Sequence, residues 1–168
     1  MKSWDQALRD GVVSGGAASF VSTIALGIAS KVEAGHLPAA LNSTSHWLWG
    51  DREAITDQVS LQHTGVGFAT HHASAYFWAV LYERLAGEWA ESSPQAALAA
   101  GLGTAAIACT VDYTVTPHRL TPGFELRLSR PAMAIGFMAF GLGLASAAMA
   151  RSRRIEDDGA EAFLYPAG

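Results

Sequence analysis

The sequence predicts an all-α protein, a bundle of four transmembrane helices. Half of its 168 residues are hydrophobic and 15% are charged. The charged residues avoid four windows, 11–30, 58–82, 92–111 and 131–150. Each window holds about 20 residues or more, which at about 1.5 Å per residue crosses a hydrocarbon core of roughly 30 Å. The windows are rich in Ala, Gly, Ser and Thr, the small residues through which membrane helices approach one another closely. A soluble bundle would keep a charged face along such helices. The expected organisation is one membrane domain, 1–150, with helices at about 11–30, 52–86, 94–116 and 131–150, and a charged cytoplasmic tail at 151–168.

The first helix carries Gly11, Gly15, Ser19, Thr23 and Gly27 at every fourth position, a small-residue stripe that predicts a packing face. The segment before it holds Asp5 and Asp10 as well as Lys2 and Arg9, so it reads as a retained helix rather than a cleaved signal. The connector that follows contains Pro38, Asn42, Ser43, Thr44 and Ser45 and is expected to hold a short helix on the membrane surface. Trp47 and Trp49 read as interfacial anchors. The triplet beginning at Asn42 matches a glycosylation sequon, a pattern frequent by chance.

Asp51 is a potential helix cap, and no proline interrupts the chain from Arg52 into the second window, so the second helix is expected to begin outside the membrane. Pro94 suits the first turn of the third helix, and Pro117 ends it. A loop punctuated by Pro117, Pro122 and Pro131 follows. There His118 or Arg119 is expected to fold back onto Asp112, and Arg127 and Arg130 to meet lipid headgroups. The basic run after Ala150 and Lys2 with Arg9 argue for two cytoplasmic termini. The tail is expected to be poorly ordered.

The single cysteine, Cys109, excludes an intramolecular disulfide and a cysteine-based zinc motif. It lies in an apolar span, where a thiol is usually inert, which disfavours a Cys–His hydrolase. The net charge of −4 gives no nucleic-acid signal, and there is no glycine-rich phosphate loop. A bis-histidine haem is disfavoured, because the first and fourth windows hold no histidine.

The second window is the unusual one, since it spends His63, His71 and His72. On a helix, His63, Gly67, Thr70, His71, Ser74 and Trp78 form a small and polar stripe expected to face the protein interior. His71 would lie about 12 Å deeper than His63, too far for both to bind one metal ion through bonds near 2 Å. Antiparallel spans bring His63, Asp112 and His118 to one end of the bundle, with His46 in a connector open to water. His63, His71, His72, Asp112 and His118 are thus the candidate metal ligands, and a transition-metal ion such as zinc, iron or manganese is the cofactor that imidazole and carboxylate suit. The same groups fit a proton or small-ligand site, or helix-to-helix hydrogen bonds with no chemistry. His71 is expected near the third helix, and its loss to cost more than that of His46.

The stretches THHASAYFWAVLYE and DYTVTPHRLTPGFE, within the four-span layout, resemble a group of small uncharacterised four-helix inner-membrane proteins of bacteria. The resemblance spans most of the chain. It implies a membrane class and a bacterial inner-membrane location, and it transfers no catalytic residue. The leading expectation is a membrane protein with a His/Asp polar site for a metal ion, proton or small ligand. The rival is an accessory subunit of a larger membrane complex or homo-oligomer, and a membrane-embedded metalloenzyme stands third. The expected surroundings are the lipid bilayer, without nucleic acid.

Overall fold

The computed structural model describes residues 1–164, and the side chains of residues 1–154. Four long helices make the body: α1 (Trp4–Glu33), α5 (Val66–Ala90), α6 (Pro94–Thr114) and α7 (Arg130–Leu164). Three short helices fill the first connector: α2 (Ala39–Thr44), α3 (His46–Trp49) and α4 (Asp51–Ala54). No strand occurs among the described residues. Three helices are long and apolar enough to cross a membrane: α1, α6 and the Arg130–Arg154 part of α7. The helices form a ring in which α1 packs on α5 and α7, and α6 packs on α5 and α7.

Helix α1 starts at a capping box, with Ser3 accepting from the Gln6 amide and the Gln6 side chain accepting from the Ser3 amide. The small stripe packs as expected in its first half. A Cβ on Gly15 would stand 2.9 Å from the Tyr76 backbone, and one on Gly11 would stand 2.8 Å from the Val80 side chain. Gly27 has only the Leu37 carbonyl nearby, at 3.8 Å, so the close approach belongs to the stripe's N-terminal part. On the other flank a Cβ on Gly143 of α7 would meet the Ala18 backbone at 2.4 Å. Glycine is what lets α1 touch both neighbours at backbone distance.

The connector departs from expectation, and Asn42 is the reason. Its buried side-chain amide donates to the carbonyls of Thr56 and Gln58 at 2.8 and 3.1 Å, and its oxygen accepts from Thr64. These bonds hold 55–60 off a helical path. The second helix therefore does not run from Arg52. A one-turn α4 follows Gly50, whose φ is 85°, then a non-helical stretch, then a π-turn at Leu61–Gly65 capped by the Ser60 side chain. Only residues 66–82 of the charge-free window 58–82 are α-helical.

Within the connector α2 lies inside the bundle, while α3 exposes Leu48 and Trp49. Every residue of α2 is buried, and a Cβ on Gly67 would fall 1.8 Å from the Leu41 carbonyl oxygen. Asn42 is fully buried, which removes it as a glycosylation acceptor. Trp47 turns inward, its indole donating to the Thr121 carbonyl at 2.7 Å, whereas Trp49 is exposed.

Ser93 and Pro94 start α6 as expected, with the Ser93 side chain accepting from the Ala96 amide. The helix ends at Thr114, ahead of Pro117. Helix α7 does not stop at Ala150 but runs on to Leu164, so 151–164 continues the helix. Residues 165–168 of the expected tail lie outside the described residues.

Candidate functional site

A cavity of about 500 Å³ opens between the long helices at the connector end of the bundle. Ser22 and Leu26 of α1, His71, Ser74 and Trp78 of α5, and Asp112 of α6 contribute to its wall. Phe137 and Phe140 of α7 complete the apolar part, and Trp47, Leu120 and Pro122 roof it. The wall is thus mainly aromatic and aliphatic, with His71 and Asp112 as its two ionisable side chains.

His71 is buried on the α5 face that meets α1. Its Nε2 lies 2.9 Å from the Ser22 hydroxyl, which donates to the Ala18 carbonyl and so can accept from the imidazole. The ring stands edge-on to Phe124, with centroids 5.9 Å apart. The hydrogen-bonding neighbour of His71 is therefore on α1. Asp112, on α6, shares the cavity wall with it.

The five candidate ligands do not converge on one point. His72 is exposed and stacks on Phe68, with ring centroids 5.9 Å apart. His63 sits in the π-turn, its Nδ1 3.2 Å from the Ser60 hydroxyl and its buried Nε2 without a partner. His118 opens the loop after α6, where its Nε2 lies 3.9 Å from an Asp51 oxygen. Neither His118 nor Arg119 folds back onto Asp112, since Arg119 donates to the Leu48 carbonyl. Arg127 pairs with Asp57, whose carboxyl that guanidinium holds below its ordinary range.

His46 is the largest reversal among the histidines. The connector exposes Leu48 and Trp49, but the His46 side chain is fully buried. Nδ1 lies 2.9 Å from Asp51 and Nε2 lies 2.8 Å from the Thr121 carbonyl.

At the opposite end lies a charge cluster that sequence reasoning missed. Glu83 of α5 is fully buried and pairs with Lys2, with Arg151 of α7 and with the Ser14 hydroxyl. Lys2 also reaches Asp10 at 2.7 Å and Glu91 at 2.6 Å, and Arg151 reaches Glu91 at 2.7 Å. Burial pulls the Lys2 ammonium toward neutrality. The hydrogen bonds that it donates to three carboxylates outweigh that pull and raise its pKa above the ordinary lysine value. A signal for Glu83 does exist in the sequence. Gly67, His71, Ala75, Ala79, Glu83 and Gly87 recur every four residues, and all six are buried. The stripe that turns His71 inward thus turns Glu83 inward too.

Comparison with models of protein families, with curated proteins and with solved structures finds no match for this chain.

Proposed function

We propose that this is a four-span integral membrane protein of a bacterial inner membrane, with both termini cytoplasmic, that binds a small, mainly apolar ligand through a polar group at His71 and Asp112. The observation that carries the reading is that these two side chains, from different helices, line the same cavity. A volume of about 500 Å³ lies within the roughly 300–1,000 Å³ range of small-molecule sites, which join apolar walls to a few polar groups. The fourth span in this reading is α5. It packs between α1 and α6, both apolar enough to cross a membrane, and it carries Phe68, Phe77 and Leu85 on exposed positions. The inner-membrane assignment rests on the resemblance in its two distinctive stretches. The orientation rests on Arg9, Arg153 and Arg154 beside the termini.

A second reading, assembly with another copy, is favoured by one feature of α6. Ala99, Gly103, Ala106 and Thr110 are all exposed, and a Cβ on Gly103 would meet nothing within 4 Å. Such a small-residue face is a surface on which membrane helices associate. Native mass spectrometry from mild detergent tests both readings. The ligand reading expects a protein-bound small molecule that is lost in His71→Ala together with Asp112→Asn. The assembly reading expects oligomers that Gly103→Leu dissociates. Wild-type protein that carries no small molecule would overturn the ligand reading.

A further inference from the structure

The roof of the cavity carries a cluster that the ligand reading does not use. We propose that His46, Asp51 and His118 bind a divalent transition-metal ion of the zinc class, which fastens the α3–α4 connector to the loop after α6. Their ligand atoms all lie within 4.8 Å of one another. His46 Nδ1 stands 2.9 Å from one oxygen of Asp51, and His118 Nε2 stands 3.9 Å from the other. Tetrahedral ligands around a zinc ion with bonds near 2.05 Å lie about 3.3 Å apart, between these two separations. The two imidazoles meet edge to face at 81°, with centroids 6.1 Å apart.

Proton counting at His46 points the same way. Both of its ring nitrogens face oxygens, the Asp51 carboxylate and the Thr121 carbonyl. A neutral imidazole has one N–H for these two acceptors. If Nε2–H donates to Thr121, the Nδ1 lone pair faces a carboxylate and needs a positive centre between them. A second proton would satisfy the pair, but it would leave His118 idle on the far side of the same carboxylate. A metal ion uses all three groups. It also matches a recurrent arrangement in which a metal-bound histidine donates its other N–H to a backbone carbonyl, fixing tautomer and ring orientation. The His46 ring is held in place already, because Gly123 presses on it so closely that a Cβ there would stand 2.8 Å from Cδ2. The His118 side chain is 67% exposed and that of Asp51 45%, which gives an ion a route in and a water molecule the fourth position. Imidazole and carboxylate together suit zinc, cobalt, nickel or copper better than calcium or magnesium.

The test is a titration of tag-free protein, stripped with chelator in detergent, with Co²⁺ followed by visible absorption and with Zn²⁺ followed by calorimetry. One saturable site per chain is expected. Asp51→Asn and His118→Ala change exposed groups and should leave the fold intact, and each should weaken binding by at least about tenfold. His36→Ala removes a different histidine–carboxylate pair, 3.6 Å from Asp57, and should leave binding unchanged. The proposal is overturned if no saturable site exists, if the site survives His118→Ala, or if His36→Ala abolishes it.

Discussion

Removing the carboxylate of Glu83 leaves Lys2 with Asp10 and Glu91, and Arg151 with Glu91, but takes away the fully buried partner that the two cations share. Lys2 and Arg151 both bond to it inside the bundle, and breaking a buried pair by deleting one partner costs about 3–5 kcal/mol. Glu83→Ala should lower stability in detergent by that amount in a denaturant or thermal unfolding series, whereas a loss below about 1 kcal/mol would be the behaviour of an exposed pair. Lys2 adds a pH dependence of defined sign. Its pKa is raised in the folded protein above the ordinary lysine value of 10.5. The stabilisation is therefore complete below pH 10.5 and disappears as pH rises through the folded value. Thermal melts should show an alkaline loss of stability beginning above pH 10.5 that Lys2→Met does not share. His46 teaches the same lesson about partners. Position in a polar connector suggested water as its companion, yet it is buried with Asp51 and Thr121 as partners.

Helix α1 was readable as an element because its packing rule is written in consecutive turns. Gly11 and Gly15 predicted a close face, and α5 lies against it. Gly15→Leu would drive a side chain into the Tyr76 backbone, and overpacking of this kind costs about 1–3 kcal/mol. A melt in detergent should register that loss, while Gly16→Leu, at a position with nothing within 4 Å, should leave stability unchanged. Equal behaviour of the two variants would mean that the stripe is not the packing face. The second helix was less readable because a non-local contact sets its start. No local breaker marks 55–60, which is bent by the Asn42 side chain from a distant connector residue. The end of α7 was misjudged for a related reason. A charged run reads as a solvated tail, but Arg151 is bound to Glu83 and Glu91 and continues the helix.

The whole molecule divides its polar groups between two ends. Among the described residues the ion pairs around buried Glu83 gather where α1 begins, and His46, His63, His71 and His118 gather at the connector end. The composition made the helical, membrane-embedded class legible, since charge-free windows depend on residue type alone. The cavity was half legible. Residue spacing turned His71 inward and antiparallel order brought Asp112 toward it, but the roof of Trp47, Leu120 and Pro122 depends on how two loops fold over each other. Reporter fusions near Glu88 should read as cytoplasmic and fusions near Gly123 as non-cytoplasmic, and the reverse pattern would invert the proposed orientation.

The most direct measurement is fluorescence quenching by a brominated long-chain alcohol. Trp47 and Trp78 line the cavity, while Trp4, Trp49 and Trp89 are exposed on the outer surface. Binding in the cavity predicts a saturable quenching phase at one molecule per chain. That phase should vanish when Trp47→Phe and Trp78→Phe are combined, and also in Ala108→Leu, which fills the wall. Quenching that rises without saturation, and equally in wild type and Ala108→Leu, would show the alcohol partitioning into detergent alone and would contradict a ligand site between His71 and Asp112.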